Sequence, residues 1–101
     1  MIIIGEKING SIPAVADAIA RRDGEFIKER ARMQDEAGAT YIDCCASVPE
    51  EQEAETLKWM IDCIQEVSDL PISVDSPSAE VLAQVFPYCK RPGLRWTYCF
   101  L

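Results

Sequence analysis

With 101 residues, the chain is long enough for one ordinary domain, and 49% hydrophobic with 27% charged content gives it a soluble globular profile. A formal net charge of −7 argues against a nucleic-acid partner, which needs a basic stripe, but leaves room for a small ligand held by backbone N–H groups. No apolar run approaches the roughly 18 to 20 residues that span a bilayer, and Met1–Ile4 has no basic residues before it, so neither a membrane partner nor a signal peptide is expected and the predicted location is cytoplasmic.

The run Ile2–Ile4 is continuously apolar, which predicts a buried first strand. Gly5-Glu6-Lys7-Ile8-Asn9-Gly10-Ser11 is polar and bracketed by glycines, so it predicts a loop. Ser11 is placed to cap a helix with Ile12, Val15, Ala16, Ile19 and Ala20 on its apolar side. Asp23 is the expected cap of a second helix, Glu25 to Ala37, closed by Gly38. Ala39 to Cys45 reads as the second strand, with Asp43 near its C-terminal end.

Glu50 to Val67 is the clearest helix, with Leu57, Met60, Ile61 and Ile64 on one face. Glu50, Glu51, Glu53 and Glu55 fall in its first turns, where the helix dipole favours negative charge. They predict a solvated helix start rather than an acidic docking patch.

The stretch from Pro71 to Ser78 carries the most functional information. Ile72 and Val74 favour a strand, while Ser76 and Pro77 read as the N-cap and first residue of the next helix. That arrangement delivers Asp75 to a strand's C-terminal tip, where parallel α/β folds gather ligand-binding groups. The following helix runs to about Tyr88, with Val81, Leu82, Val85 and Phe86 inward, and Arg91 to Thr97 reads as a fourth strand.

Strands alternating with helices predict an α/β fold with parallel strands. There is no Gly-x-Gly-x-x-Gly turn, which lowers a doubly wound dinucleotide fold against a barrel. The fold class expected is α/β, the N-terminal part of a (β/α)8 TIM barrel, with about three βα units and a candidate fourth strand. Five cysteines, Cys44, Cys45, Cys63, Cys89 and Cys99, occur without a C-x-x-C spacing and without any histidine. They read as buried or half-buried thiols, and no metal site is expected.

Three motifs in register, Gly5-Glu6-Lys7-Ile8-Asn9-Gly10, Gly38-Ala39-x-x-Ile42-Asp43 and Val74-Asp75-Ser76, resemble the N-terminal part of the pterin-binding methyltransferases. The nearest resemblance is to methyltetrahydrofolate:corrinoid/iron-sulfur protein methyltransferase, with the folate-binding module of cobalamin-dependent methionine synthase as a cousin. The resemblance spans roughly residues 1–94. It implies a barrel domain over 1–94 and sets 95–101 apart as an atypical tail, expected to arise from a shifted reading frame or a truncated coding sequence.

The resemblance further implies transfer of the N5-methyl group of methyltetrahydrofolate to a corrinoid (cobalamin-type) cofactor carried by a partner protein, in a parent enzyme that is a homodimer. Asp75 would grip the pterin's N–H groups, with Asn9 and Asp43 in support. A carboxylate suits that task, being an acceptor able to take two parallel N–H donors. Each of the three also has a local explanation: a turn for Asn9, and capping for Asp43 and Asp75. Some relatives carry Asn two residues after the second strand's Asp, where this chain has Cys45. Catalytic residues are not identified, since the family's group that addresses N5 lies on later strands, so the chain alone is expected to be inactive.

Two other readings compete. A dihydropteroate synthase-like enzyme would share the barrel and the pterin pocket, but its first loop usually reads Asn-Val-Thr-Pro-Asp-Ser-Phe-Ser, unlike the loop here. A vestigial, non-catalytic fragment would expose open sheet edges, including Met1–Ile4, and would tend to associate.

Overall fold

Parallel β-strands need helical crossovers, and the chain supplies one or two between each pair of strands. The structure, a computed structural model, describes residues 4–90 and 95–97. In chain order it runs β1 (Ile4–Asn9), α1 (Pro13–Arg21), α2 (Gly24–Glu36), β2 (Tyr41–Cys45), α3 (Glu50–Val67), β3 (Ile72–Ser76), α4 (Ala79–Val85), a single 3-10 turn (Phe86–Tyr88) and β4 (Arg95–Thr97).

The four strands are all parallel and pair in the order β1-β2-β3-β4. A doubly wound sheet reverses direction partway through its strand order. Among the described strands the order does not reverse. Right-handed crossovers that always step the same way place their helices on one face, and α1 packs on α2, α2 on α3, and α3 on α4 as one layer. The architecture is α/β and compatible with an arc of a (β/α)8 barrel.

Between sheet and helices lies one core. Ile8, Ile42, Cys44, Ile72 and Val74 enter it from the strands, and Val15, Ala18, Ile27, Ala31, Leu57, Met60, Ile61, Ile64, Val81 and Val85 enter it from the helices. The α3 stripe read from spacing is the one buried, because residues three and four apart share a helix face. Asp23 caps α2 by accepting from the Phe26 N–H at 3.3 Å, and Gly38 takes φ 91° after it, both as expected. No helix among the described residues is long and apolar enough to cross a membrane.

Three local expectations are corrected. The stretch Gly5 to Asn9, expected as loop, continues β1, since pairing with β2 outweighs the turn preference of its residues; Ile2 and Ile3 lie outside the described residues. One extra residue is absorbed between Gly5 and Ile8, where the register with β2 shifts, so Ile8 is completely buried beside Cys44. Ser11 does not cap α1; its own N–H donates to Asn9 Oδ1 at 2.8 Å.

At the other end of the sheet, Ser76 is the last residue of β3 rather than a cap. Ser78 caps α4 instead, accepting from the Val81 N–H at 3.3 Å, while Ser76 Oγ accepts from the Ser78 N–H at 3.0 Å. The helix therefore starts two residues later than its Ser-Pro signal indicates. Of the expected 91–97 strand, residues 91–94 lie outside the described residues and Arg95–Thr97 pair with β3. Among the described cysteines, Cys44, Cys63 and Cys89 are buried thiols and Cys45 is half-buried, in line with the sequence reading; Cys99 lies outside the described residues.

Candidate functional site

Side chains along a strand alternate between faces. Ile42, Cys44, Ile72 and Val74 face the helices, so Asp43, Cys45, Ser73 and Asp75 face the opposite way. Strand register then sets the layout across that second face. Asn9 pairs with Cys45 and Cys45 with Asp75, which forms a row at the C-terminal ends of three strands. Asp43 pairs with Ser73, one rung further in.

Above the row is a hollow of about 400 Å3, lined by Asn9, Ser11, Cys45, Ser47, Val48, Glu53, Asp75 and Pro77. Its volume is in the range of small-molecule sites. A second hollow, about 360 Å3, lies between β1 and α2 around Phe26, Met33 and Gln34 and holds none of Asn9, Asp43 or Asp75.

Asn9 and Asp75 are thus brought to one cavity, while Asp43 lies beneath them rather than in its wall. The turn explanation for Asn9 is realised in part, since its Oδ1 accepts from the Ser11 N–H. The capping explanation for Asp75 is weakened, because Ser78 performs that task. Asp75 is only 2% exposed.

The electrostatics of this face are dominated by carboxylates. Asp43, 6% exposed, has its pKa raised to about 7. Burial is the main cause, the charge of Asp75 adds to it, the Ser73 hydroxyl offsets part, and Glu6 contributes further. A carboxyl that would ordinarily be ionised is therefore half-protonated near neutral pH. The Cys45 thiol is also pushed up, chiefly by burial, with the Ser47 hydroxyl 3.6 Å from its Sγ acting the other way. Cys45 is therefore a neutral, weakly polar wall between the two polar side chains of the row.

One residue of the hollow was hidden in the sequence. Glu53 belongs to the acidic start of α3, expected to be solvated, and its neighbours Glu50, Glu51 and Glu55 are indeed exposed. Glu53 is 3% exposed and faces the hollow. Burial raises its pKa, Ser76 opposes that by hydrogen bonding, and Glu50 and Asp75 add to it. The signal that could have found it is helical phase: Glu53 is four residues before Leu57 and so shares its buried face.

The loops that frame the hollow are held backbone to backbone. The Gly10 N–H donates to the Cys45 carbonyl at 2.8 Å, and a Cβ on Gly10 would fall 1.8 Å from the Ala46 carbonyl oxygen. Ser47, in the same β2–α3 loop, adopts φ 52°, a left-handed conformation uncommon for a residue with a side chain.

No family model matches the chain. Its sequence is 57% identical over 94 residues to the methylcorrinoid:tetrahydrofolate methyltransferase of Eubacterium limosum. The match covers 93% of this chain and 35% of that relative, so the chain spans about a third of the relative's length. The resemblance to the pterin-binding methyltransferases carried by the three motifs is thus shown by this match, over a portion consistent with the N-terminal part of the family.

Proposed function

We propose that these residues form the first part of a folate-binding barrel mouth, in an enzyme that moves a methyl group between N5 of a folate and a corrinoid carried by a partner protein. The observation that carries the proposal is the placement of Asp75 and Asn9 on one cavity at the strand tips, in a chain 57% identical to a methylcorrinoid:tetrahydrofolate methyltransferase. The matched relative is a methyltransferase, which favours this reading over the synthase.

The residues present suit a pterin. The hollow is large enough for a bicyclic ring, and a buried carboxylate at its wall meets a 2-amino-4-oxo edge that presents adjacent N–H donors. Asp75 takes the anchoring role. Asn9, its oxygen engaged by the Ser11 N–H, would meet the ligand through its NH2. Asp43 acts from below, through its charge coupling to Asp75.

The resemblance implies a methyl leaving N5, whereas the relative's name puts the methylcorrinoid first and tetrahydrofolate second. Both directions share one transition state, in which N5 carries positive character, so the same pocket serves either. The corrinoid, when docked by its carrier, supplies the cobalt that gives or takes the methyl group. The residues of this chain bind and orient the pterin, and the remaining two thirds of the relative's length would hold the groups that act on N5.

The test is titration of the purified chain with tetrahydrofolate, followed by the ligand's absorbance or by calorimetry. Saturable binding that weakens strongly on Asp75→Asn is the expected result; binding unchanged by Asp75→Asn removes the proposal's anchor. Methyl transfer between a corrinoid protein and folate, assayed with the 101-residue chain alone, is expected to be absent.

A further inference from the structure

One carboxylate of the hollow is left without a role by the strand-tip arrangement. Glu53 reaches the cavity from the first turn of α3, so it approaches from a different element than Asn9, Cys45 and Asp75. The helix dipole does not account for its burial, because Glu50 and Glu51 sit in the same turn, experience the same field and remain in water. Nor does pairing with a cation among the described residues, where Ser76 is the group that hydrogen-bonds it while Glu50 and Asp75 repel it.

Removing a carboxylate from water and setting it against a second one is costly unless N–H donors lie between them. A ligand edge carrying several such donors removes the conflict. An edge carrying an acceptor in the same place makes it worse.

We infer that Glu53, on the folate reading above, is a second ligand-contacting carboxylate: it shares with Asp75 the N–H donors of the pterin's 2-amino-4-oxo edge and makes the hollow select an amino-substituted ring over an oxo-substituted one. The role is one of specificity. Asp75 anchors from the strand tip, and Glu53 closes the same edge from the helix side.

The test uses the 101-residue chain with two probes, pterin and lumazine, which differ in having an amino donor or an oxo acceptor at the same ring carbon. The unsubstituted chain is expected to bind pterin at least about tenfold more tightly than lumazine, and Glu53→Gln to narrow that preference by about tenfold, the loss that follows when a charge-assisted contact becomes a neutral one. Glu51→Gln, at an exposed position one turn-mate away, is expected to leave the preference unchanged.

A merely structural Glu53 gives a different pattern. Glu53→Gln would then fold, melt at the same or a higher temperature because a buried repulsion is gone, and keep the full preference; that result overturns the inference and leaves the folate reading standing. If Glu53→Gln does not fold, Glu53→Asp, which retracts the charge, takes its place: a narrowed preference supports the inference and an unchanged one overturns it. An unsubstituted chain that binds neither pterin nor tetrahydrofolate overturns the folate reading, and the inference with it.

Discussion

The two faces of the sheet use the same strands for opposite purposes. On the helix side, Ile42, Cys44, Ile72 and Val74 meet the α1–α4 layer and close an apolar core. On the other side, alternate residues of the same strands are Asp43, Cys45, Ser73 and Asp75, equally hidden or nearly so but polar. Burial alone therefore does not mark the core of this molecule. What separates packing from chemistry is whether a buried side chain answers to other apolar side chains or to charge.

That contrast can be broken from either side. Leu57→Ala, on the helix face of the core, should cost about 2–5 kcal/mol of stability through lost burial and the cavity left behind, measured by chemical denaturation. A loss well under 1 kcal/mol would mean that the core is looser than its burial implies.

Asp43 tests the polar face by pH. Its folded pKa of about 7 lies above the ordinary carboxyl value of 3.8, so between those values the folded chain holds a proton that the unfolded chain has released. Stability is then fully present below about pH 4 and falls as pH rises toward 7, by at most about 4 kcal/mol for this group. Asp43→Asn should flatten most of that slope, with a remainder from Glu53, whose pKa is also raised. A slope unchanged in Asp43→Asn would place the titration elsewhere.

Asp75→Asn should weaken tetrahydrofolate binding by about 1.5–3 kcal/mol, the worth of a hydrogen bond to a charged partner, while leaving the denaturation midpoint within reach of the parent's. Equal affinity for the two chains would detach Asp75 from the ligand. The smallest effect belongs to the α4 cap: Ser78→Ala should lower stability by about 1 kcal/mol, whereas Ser76 cannot substitute for it, being the last residue of β3.

What the sequence disclosed and what it concealed follow the same physical divide. Alternation of strands and helices, the α3 stripe and the Asp23 and Gly38 punctuation depend on neighbours a few residues apart, so periodicity reveals them. Asp75 was legible because a β-branched pair before it and a helix after it put it at a strand tip. The extent of β1 was not, because its polar residues are recruited by pairing with β2, a partner more than thirty residues away in sequence. Glu53 was obscured by company: three exposed glutamates around it made one average environment out of two distinct ones. The fold-back of Ser76 onto Ser78, which moves the α4 start, also depends on where β3 ends in the sheet rather than on the Ser-Pro pair itself.

The Gly10 contact with the β2–α3 loop has a consequence for how such a pocket can change over time. The separation of the two loops is fixed by main-chain atoms in contact, with no side chain acting as the spacer. Substitutions at Ser11, Cys45 or Val48 can therefore alter the surface chemistry of the hollow without touching that contact. A side chain on Gly10 would instead force these two loops apart, shifting Asn9 and Ser47 together. This side of the pocket is thus open to gradual retuning of what it recognises and resists gradual resizing.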